Sequence, residues 1–415
     1  MRKNLVGLIL VATFLLYGAV GTVAAESRSG EGFLTSTREL AELRDAVRDG
    51  SASPLRQSHV ERLITLANEP WPLGYVGKAY GTTVSYTSEG WERHHCVPLD
   101  GSGSSRVLGE AGLILYTKAL AYNLTGNTNY AKEVRNRLMD FTRASGFERV
   151  GRYTNYSGGN ECAFKVSSLM PLLIESATLL ESYSGWHASH KRDLQRWLAG
   201  VPYRLTSAIA DTRKNNWGTA AAFASWAIAH YLGDSDLSLR QHHPVSEVRT
   251  PWEAKRAHLE SQMRIIGTRW KGDSRCQRYG AQWHGGFPDE LRRGSTGCSG
   301  EYLRRTDPSY DYQIKIVSHL IFHAEALKRH GDNELYRYRL DSGELLLKEA
   351  IKFVINNSRG RSYDWPRQEM GMLRAASLAY PYLPICEQLE RTHDFHIDEG
   401  LYIPFFRVVR GDGGC

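Results

Sequence analysis

The chain has 415 residues, of which 41% are hydrophobic, and carries a formal charge of +7. That composition supplies a large folded core and excludes a disordered chain, while the mild positive balance favours an acidic partner. Lys and Arg are spread along the sequence rather than gathered in a block, which argues against a nucleic-acid partner.

Met1-Arg2-Lys3, the apolar run from Leu5 to Val20 and the small residues Val23-Ala24-Ala25 read as a secretory leader cleaved after Ala25. The run falls short of the roughly 20 apolar residues that a spanning helix needs. We therefore expect a leader over 1–25 and one catalytic unit over 26–415, secreted or periplasmic, with no membrane partner after cleavage. Removing Arg2 and Lys3 with the leader lowers the charge to +5.

Beyond the leader, apolar residues recur at helical spacing between short Gly, Asn, Asp or Pro breaks. The pattern predicts helices over 36–49, 54–68, 107–124, 128–144, 165–183, 188–211, 218–232, 251–268, 311–330, 335–356 and 368–381. In one of them Ile314, Val317, Ile321 and Ala324 step by three and four along one face. Alternation typical of strands is confined to pieces such as "LYIPFF" near the C-terminus. Successive helix hairpins with short turns predict an all-α fold, an (α/α)n toroid or incomplete barrel, with a solenoid of helical repeats as its rival. Two long helix-poor insertions favour the toroid: 70–106, rich in Gly, Ser, Tyr and Trp, and 270–310, rich in Gly, Arg and Tyr. Loops of that length with so many aromatics read as the lid and walls of a cleft.

Six cysteines, Cys96, Cys162, Cys276, Cys298, Cys386 and Cys415, permit up to three disulfides in an exported chain, and Cys276 with Cys298 is the pair closest in sequence. The absence of any CxxC argues against a zinc ribbon. His187 and His190 have helical spacing but no third ligand in sight, so no metal and no cofactor is expected. Asn123, Asn155 and Asn356 begin glycosylation sequons.

The sequence lacks a GxSxG elbow, an HExxH pair, a P-loop and a dinucleotide fingerprint. What it offers is amides, arginines and tyrosines beside a basic, aromatic cleft. That set suits β-elimination from a uronic-acid polymer, in which the C5 proton leaves next to a carboxylate whose charge opposes carbanion formation. Amide, guanidinium or imidazole donors must first neutralise the carboxylate. A tyrosinate, made accessible by a cation beside it, can then take the proton, and the resulting tyrosine can protonate the leaving oxygen.

"KNNWGT", with Asn215 and Asn216 opening an apolar helix, resembles the "NNH" helix start of the alginate lyase superfamily of (α/α) toroid fold, typified by polysaccharide lyase family five. "EYLRRTDPSYDYQIKIVSHLIFHAEAL", from Glu301 to Leu327, is similar to the family segment in which an arginine precedes the catalytic tyrosine by seven residues. Here Arg305 precedes Tyr312 by seven, and Ala324-Glu325 follow Tyr312 by twelve and thirteen, as in the family. "ALAYNLTGNTNYAKEVRNRLMDF" resembles the helix, turn and helix of these enzymes, so the likeness covers roughly residues 107–335.

The resemblance implies Tyr312 as base and acid, Arg305 holding charge beside it and Asn216 neutralising the carboxylate, with Asn215 as the helix cap. Read from the residues themselves, Asn215, Trp217, Arg293, Arg304 and Tyr310, with Trp91 and Tyr80 of the first long insertion as sugar platforms or loop packing, are the expected substrate contacts. Two departures stand out. Trp217 occupies the position where the family has histidine, so another donor is expected, from His284 in "QWHGGFPDELRRG" or from His94 and His95 in "WERHHC". Arg293 in the same stretch resembles a second family arginine and competes with Arg305. The expected partner is an acidic polysaccharide and the expected state a monomer. Two other readings compete: a glycoside hydrolase using carboxylates among Asp289, Glu290 and Asp364, and a noncatalytic carbohydrate-binding protein.

Overall fold

The structure is a computed structural model that describes residues 31–68, 106–143, 161–233 apart from 214, 250–260, 285–287, 308–358 apart from 341 and 342, and scattered positions between 235 and 239 and between 376 and 385. Helix α1 (Thr37–Arg48) starts in a capping box, in which Ser36 Oγ accepts from the Glu39 N–H at 3.2 Å while the Glu39 carboxylate accepts from the Ser36 N–H at 2.9 Å. Helix α2 (Pro54–Asn68) has proline in its first turn, where no N–H is needed. Helices α3 (Arg106–Thr125) and α4 (Thr128–Arg143) form a hairpin whose turn uses Gly126 at φ 72°, a conformation that favours glycine. These four spans agree with the predicted ones to within two residues.

Helix α5 (Glu161–Thr178) ends earlier than the predicted 165–183, because residues 179–183 tighten into turns, with the Tyr183 N–H donating to Leu180 O at 2.8 Å. Helices α6 (Ala188–Thr212) and α7 (Asn216–Leu232) follow, then α8 over 251–260 and α9 (Pro308–Arg329). The predicted helix 335–356 is in fact two, α10 (Glu334–Arg337) and α11 (Leu346–Ser358). Between them the chain doubles back: Arg339 bridges to Leu345, the Leu346 N–H donates to Tyr338 O at 3.0 Å, and Gly343 takes φ 86°. Turn chemistry at that glycine overrides the apolar periodicity on either side. Of the predicted helix 368–381 only fragments are described, and "LYIPFF" lies outside the described residues.

Contacts between helices give their directions. Gly112 of α3 faces Leu169 and Leu172 of α5, and further along the Asn123 amide donates to Leu179 O at 3.0 Å, so α3 and α5 run parallel. Helices α7 and α9 are parallel as well, since Phe223 stacks on His323 and, about two turns further along both helices, His230 meets His330. Helix α6 runs the other way beside α7, with Thr206 hydrogen-bonded to Ser225 at 2.8 Å and Arg213 lying over Trp217. Thus α3, α5, α7 and α9 form an inner row pointing one way, with α4 and α6 returning outside it. That wind is an all-α toroid. Helix α1 packs on α3 and its Glu39 pairs with Arg329 of α9, so the N-terminal helix bridges the two ends of the row.

Burial follows the same division. Every residue of α7 from Gly218 to Ala229 is buried, and its alanines let α5, α6 and α9 approach closely. A helix apolar all round belongs in the interior, whereas α4 keeps an exposed charged face. In the heart of the row Phe33 packs edge-on against Phe223 and Trp226, at 5.8 and 5.9 Å between ring centroids. Phe33 is held there by the fully buried Glu175 of α5, whose carboxylate accepts from the N–H groups of Phe33, Leu34 and Thr35 at 3.1, 3.2 and 2.7 Å. Gly32 has no room for a Cβ beside that carboxylate.

Among the described residues no helix is long and apolar enough to cross a membrane. The nitrogen of the Asn123 sequon donates to Ala119 O and Leu179 O at 2.9 and 3.0 Å, so glycosylation there would break a helix-end contact. Asn356 is exposed on α11, and Asn155 lies outside the described residues. The side chains of the six cysteines, and with them the expected Cys276–Cys298 pairing, lie outside the described residues too.

Candidate active site

The parallel wind brings the N-terminal ends of α5, α7 and α9 to one side of the molecule. Asn215 is the N-cap of α7, its Oδ1 accepting from the Trp217 N–H at 3.1 Å. The cap therefore needs only the first amide, and Asn216 begins the helix proper, 1% exposed. Its carbonyl accepts from Thr219 Oγ1 at 3.0 Å, and His319 of α9 lies close enough to it to be influenced by it.

Trp217 is half-buried beside this turn. Phe164, from the first turn of α5, stacks on it at 5.4 Å with 9° between the rings, and the Arg213 guanidinium lies 5.5 Å from the indole centroid. The π surface of the indole is thus engaged by the protein itself. The turn is tight because Gly218 sits against the Arg213 carbonyl, where a Cβ would overlap it. Gly218→Ala should cost about 2 kcal/mol by forcing the α6–α7 backbone apart, read as a lower urea midpoint with an unchanged slope. A midpoint within error of the original would contradict this account of the turn.

On α9, Tyr312 is half-buried, with Lys315 Nζ 5.5 Å from its ring centroid. The neighbouring Gln313 is fully buried and fastens a separate segment, accepting from the Phe287 N–H at 2.9 Å and donating to Gly285 O at 3.2 Å. Gly285 adopts φ 97° with its α-carbon against the Glu349 carbonyl, so no other residue fits. The residue before it in sequence is His284, which lies outside the described residues. His319 follows Tyr312 by seven residues, on the same face and about 10 Å along the axis. Its ring meets Phe164 edge-on at 6.4 Å. Burial and the charge of Lys315 push the imidazole down to about 4, against the pull of the Asn216 carbonyl, so it is neutral at physiological pH.

Of the residues singled out in the sequence, Asn215, Asn216 and Trp217 therefore form one turn, and Tyr312 stands on the face of α9 that reaches it. Tyr310 belongs to the first turn of α9 and its side chain is not among the described ones. Arg293, Arg304, Arg305, Trp91, Tyr80, His94 and His95 lie outside the described residues. Phe164 and His319 were not anticipated. The seven-residue step from Tyr312 was a usable signal for His319, whereas Phe164 comes from another helix and left none. His187 and His190 have a local role at the start of α6, where the His187 N–H donates to His190 Nδ1 at 3.1 Å. Among the described residues no three His, Cys, Asp or Glu side chains are grouped as metal ligands.

Helix N-termini carry partial positive charge and unpaired N–H groups, which favour anions. Amides, a tyrosine and a lysine thus lie toward the shared positive ends of parallel helices, a setting that favours an anionic ligand. The model of the family described as alginate lyase matches residues 100–365, and the protein belongs to that family. It is accordingly a polysaccharide lyase with an acidic polysaccharide as substrate class. In fold it is similar to an alginate lyase from Bacteroides ovatus, solved at 1.60 Å resolution, with a TM-score of 0.56 and 15% identity over 91% of this chain and 99% of that one. No curated protein sequence matches it.

Proposed function

We propose that this lyase is exported through its leader, ending near Ala25, as a single monomeric catalytic unit over 26–415, and that it cleaves alginate or glucuronan by β-elimination. The observation that carries the reading is the approach of the Asn215-Asn216 turn to the Tyr312 face of α9 at the positive ends of parallel helices. Asn216, Arg305 and His284 neutralise the uronate carboxylate, where charge builds as the C5 proton departs. Tyr312 as phenolate takes that proton, with Arg305 and Lys315 supplying positive charge nearby. The C4–O4 bond breaks, a C4–C5 double bond forms, and the Tyr312 hydroxyl passes the abstracted proton to O4, so the enzyme ends as the phenolate from which it began. Arg293, Arg304, Tyr310, Trp91 and Tyr80 line the path of the polymer. Asn215 and Trp217 shape the turn that presents Asn216.

The purified protein should raise absorbance near 235 nm on at least one of polymannuronate, polyguluronate and glucuronan, with chelator present. The polymer that responds names the substrate. Products heavier by one water, with no rise, would mean hydrolysis instead.

A further inference from the structure

One buried group near the Asn216 turn has no place in the steps above. His319 is 8% exposed, and its two ring nitrogens differ. One faces the Asn216 carbonyl, whereas buried Nδ1 has no protein partner. The nitrogen toward Asn216 is therefore Nε2, from which the neutral imidazole can donate to the carbonyl. Helix stability does not need this contact. Asn215 already caps α7 and Thr219 already donates to the same carbonyl. A leucine would fill the space without burying an unmatched nitrogen, and such a nitrogen costs stability. Trp217, which stands where the resemblance expects histidine, is occupied with Phe164 and Arg213. The imidazole that reaches the paired asparagines comes from α9 instead, on the face that carries Tyr312.

We propose that His319 is a positioning residue for the elimination, one that locks the first turn of α7 through the Asn216 carbonyl so that the Asn216 amide meets the uronate carboxylate in register with Tyr312. The proposal rests on the lyase reading of this site. It couples the helix of the amide to the helix of the base through one hydrogen bond, so both catalytic groups keep one geometry as the polymer enters. An amide that drifts by an ångström still binds the ground-state carboxylate but meets the developing dianionic carbanion poorly. The loss then falls on kcat rather than on KM.

The test compares His319→Leu and His319→Gln with the wild type on the polymer that the wild type cleaves, by absorbance near 235 nm and by thermal melting. Leucine removes the donor, whereas the glutamine amide can still donate to the carbonyl. We expect His319→Leu to lower kcat about 10- to 100-fold, with KM within about threefold and no loss of melting temperature, and His319→Gln to recover most of kcat. A leucine variant with wild-type kcat overturns the proposal. So does a loss of activity that tracks a loss of melting temperature and that glutamine fails to restore, since that is the pattern of a merely structural contact. A wild type that is inactive on every uronate polymer takes the lyase reading down as well, whereas an active wild type beside an unimpaired leucine variant removes this inference alone.

Discussion

Tyr312→Phe should lose about a thousandfold in kcat while polymer binding persists. The phenol oxygen is the only atom removed, so the ring remains beside Lys315 and the Gln313 anchor is untouched. General acid–base groups typically contribute about 10²- to 10⁴-fold. In the reaction proposed above one oxygen serves both halves, so a loss of about a thousandfold is expected. Binding should survive because, in the proposed reading, arginines and helix N-termini rather than the hydroxyl hold the polyanion. Single-turnover absorbance near 235 nm, paired with calorimetric titration of the polymer, checks both halves. More than a tenth of wild-type kcat in the phenylalanine variant would reassign the base.

The second large effect concerns stability against pH, which should peak near pH 6.5 and fall on both sides. On the acid side, burial holds His319 and His330 down to about 4 and His323 to about 3, with the charges of Lys315, of Lys255 and Arg329, and of His258 respectively adding to burial. Burial, His330 and Lys255 also hold His230 well below its usual range. Each of these groups binds a proton more readily when unfolded. Stability is therefore complete above about 6.5 and lost as pH falls toward the folded values, on the order of 1.4 kcal/mol per pH unit for each imidazole. Four such groups can exceed the net stability of an ordinary domain before pH 4.

On the alkaline side the sign reverses. Burial pushes Glu175 up to about 8, against the pull of the Thr35, Leu34 and Phe33 amides. The folded state then holds a proton that the unfolded chain has released, and its contribution, complete below about 4.5, is lost as pH rises through 8. Between 4.5 and 6.5 the histidines outnumber the carboxyl, so the net slope is upward until 6.5. Urea midpoints from pH 5 to 9 test the curve. Glu175→Gln should flatten the alkaline limb and His323→Phe should soften the acid one. A profile flat across pH 5 to 9 would show that these groups stay hydrated in the folded protein.

Where the two levels of reading differ, the difference has a local cause. Asn215 as cap, the Ser36–Glu39 box and Gly126 all act on the backbone within four residues. Helix ends set by such groups are therefore legible in a single sequence. The merged prediction over 335–356 failed because apolar spacing on both sides of Gly343 stays in phase, while the φ of that glycine turns the chain. Glu175 was invisible as an anchor because its partners lie about 140 positions away.

Sequence alone determined the all-helical class, most helix boundaries, the spacing of Arg305 to Tyr312 and the paired amides at the start of α7. Caps, periodicity and motif spacing are short-range properties, carried by neighbouring residues whatever the rest of the chain does. Only the tertiary structure decided that α5, α7 and α9 run parallel, that Phe164 and Arg213 occupy the indole of Trp217, and that the imidazole serving Asn216 belongs to the helix of Tyr312. Those outcomes depend on which buried faces share a core, and a polar side chain is placed by the neighbour that satisfies it when water is gone.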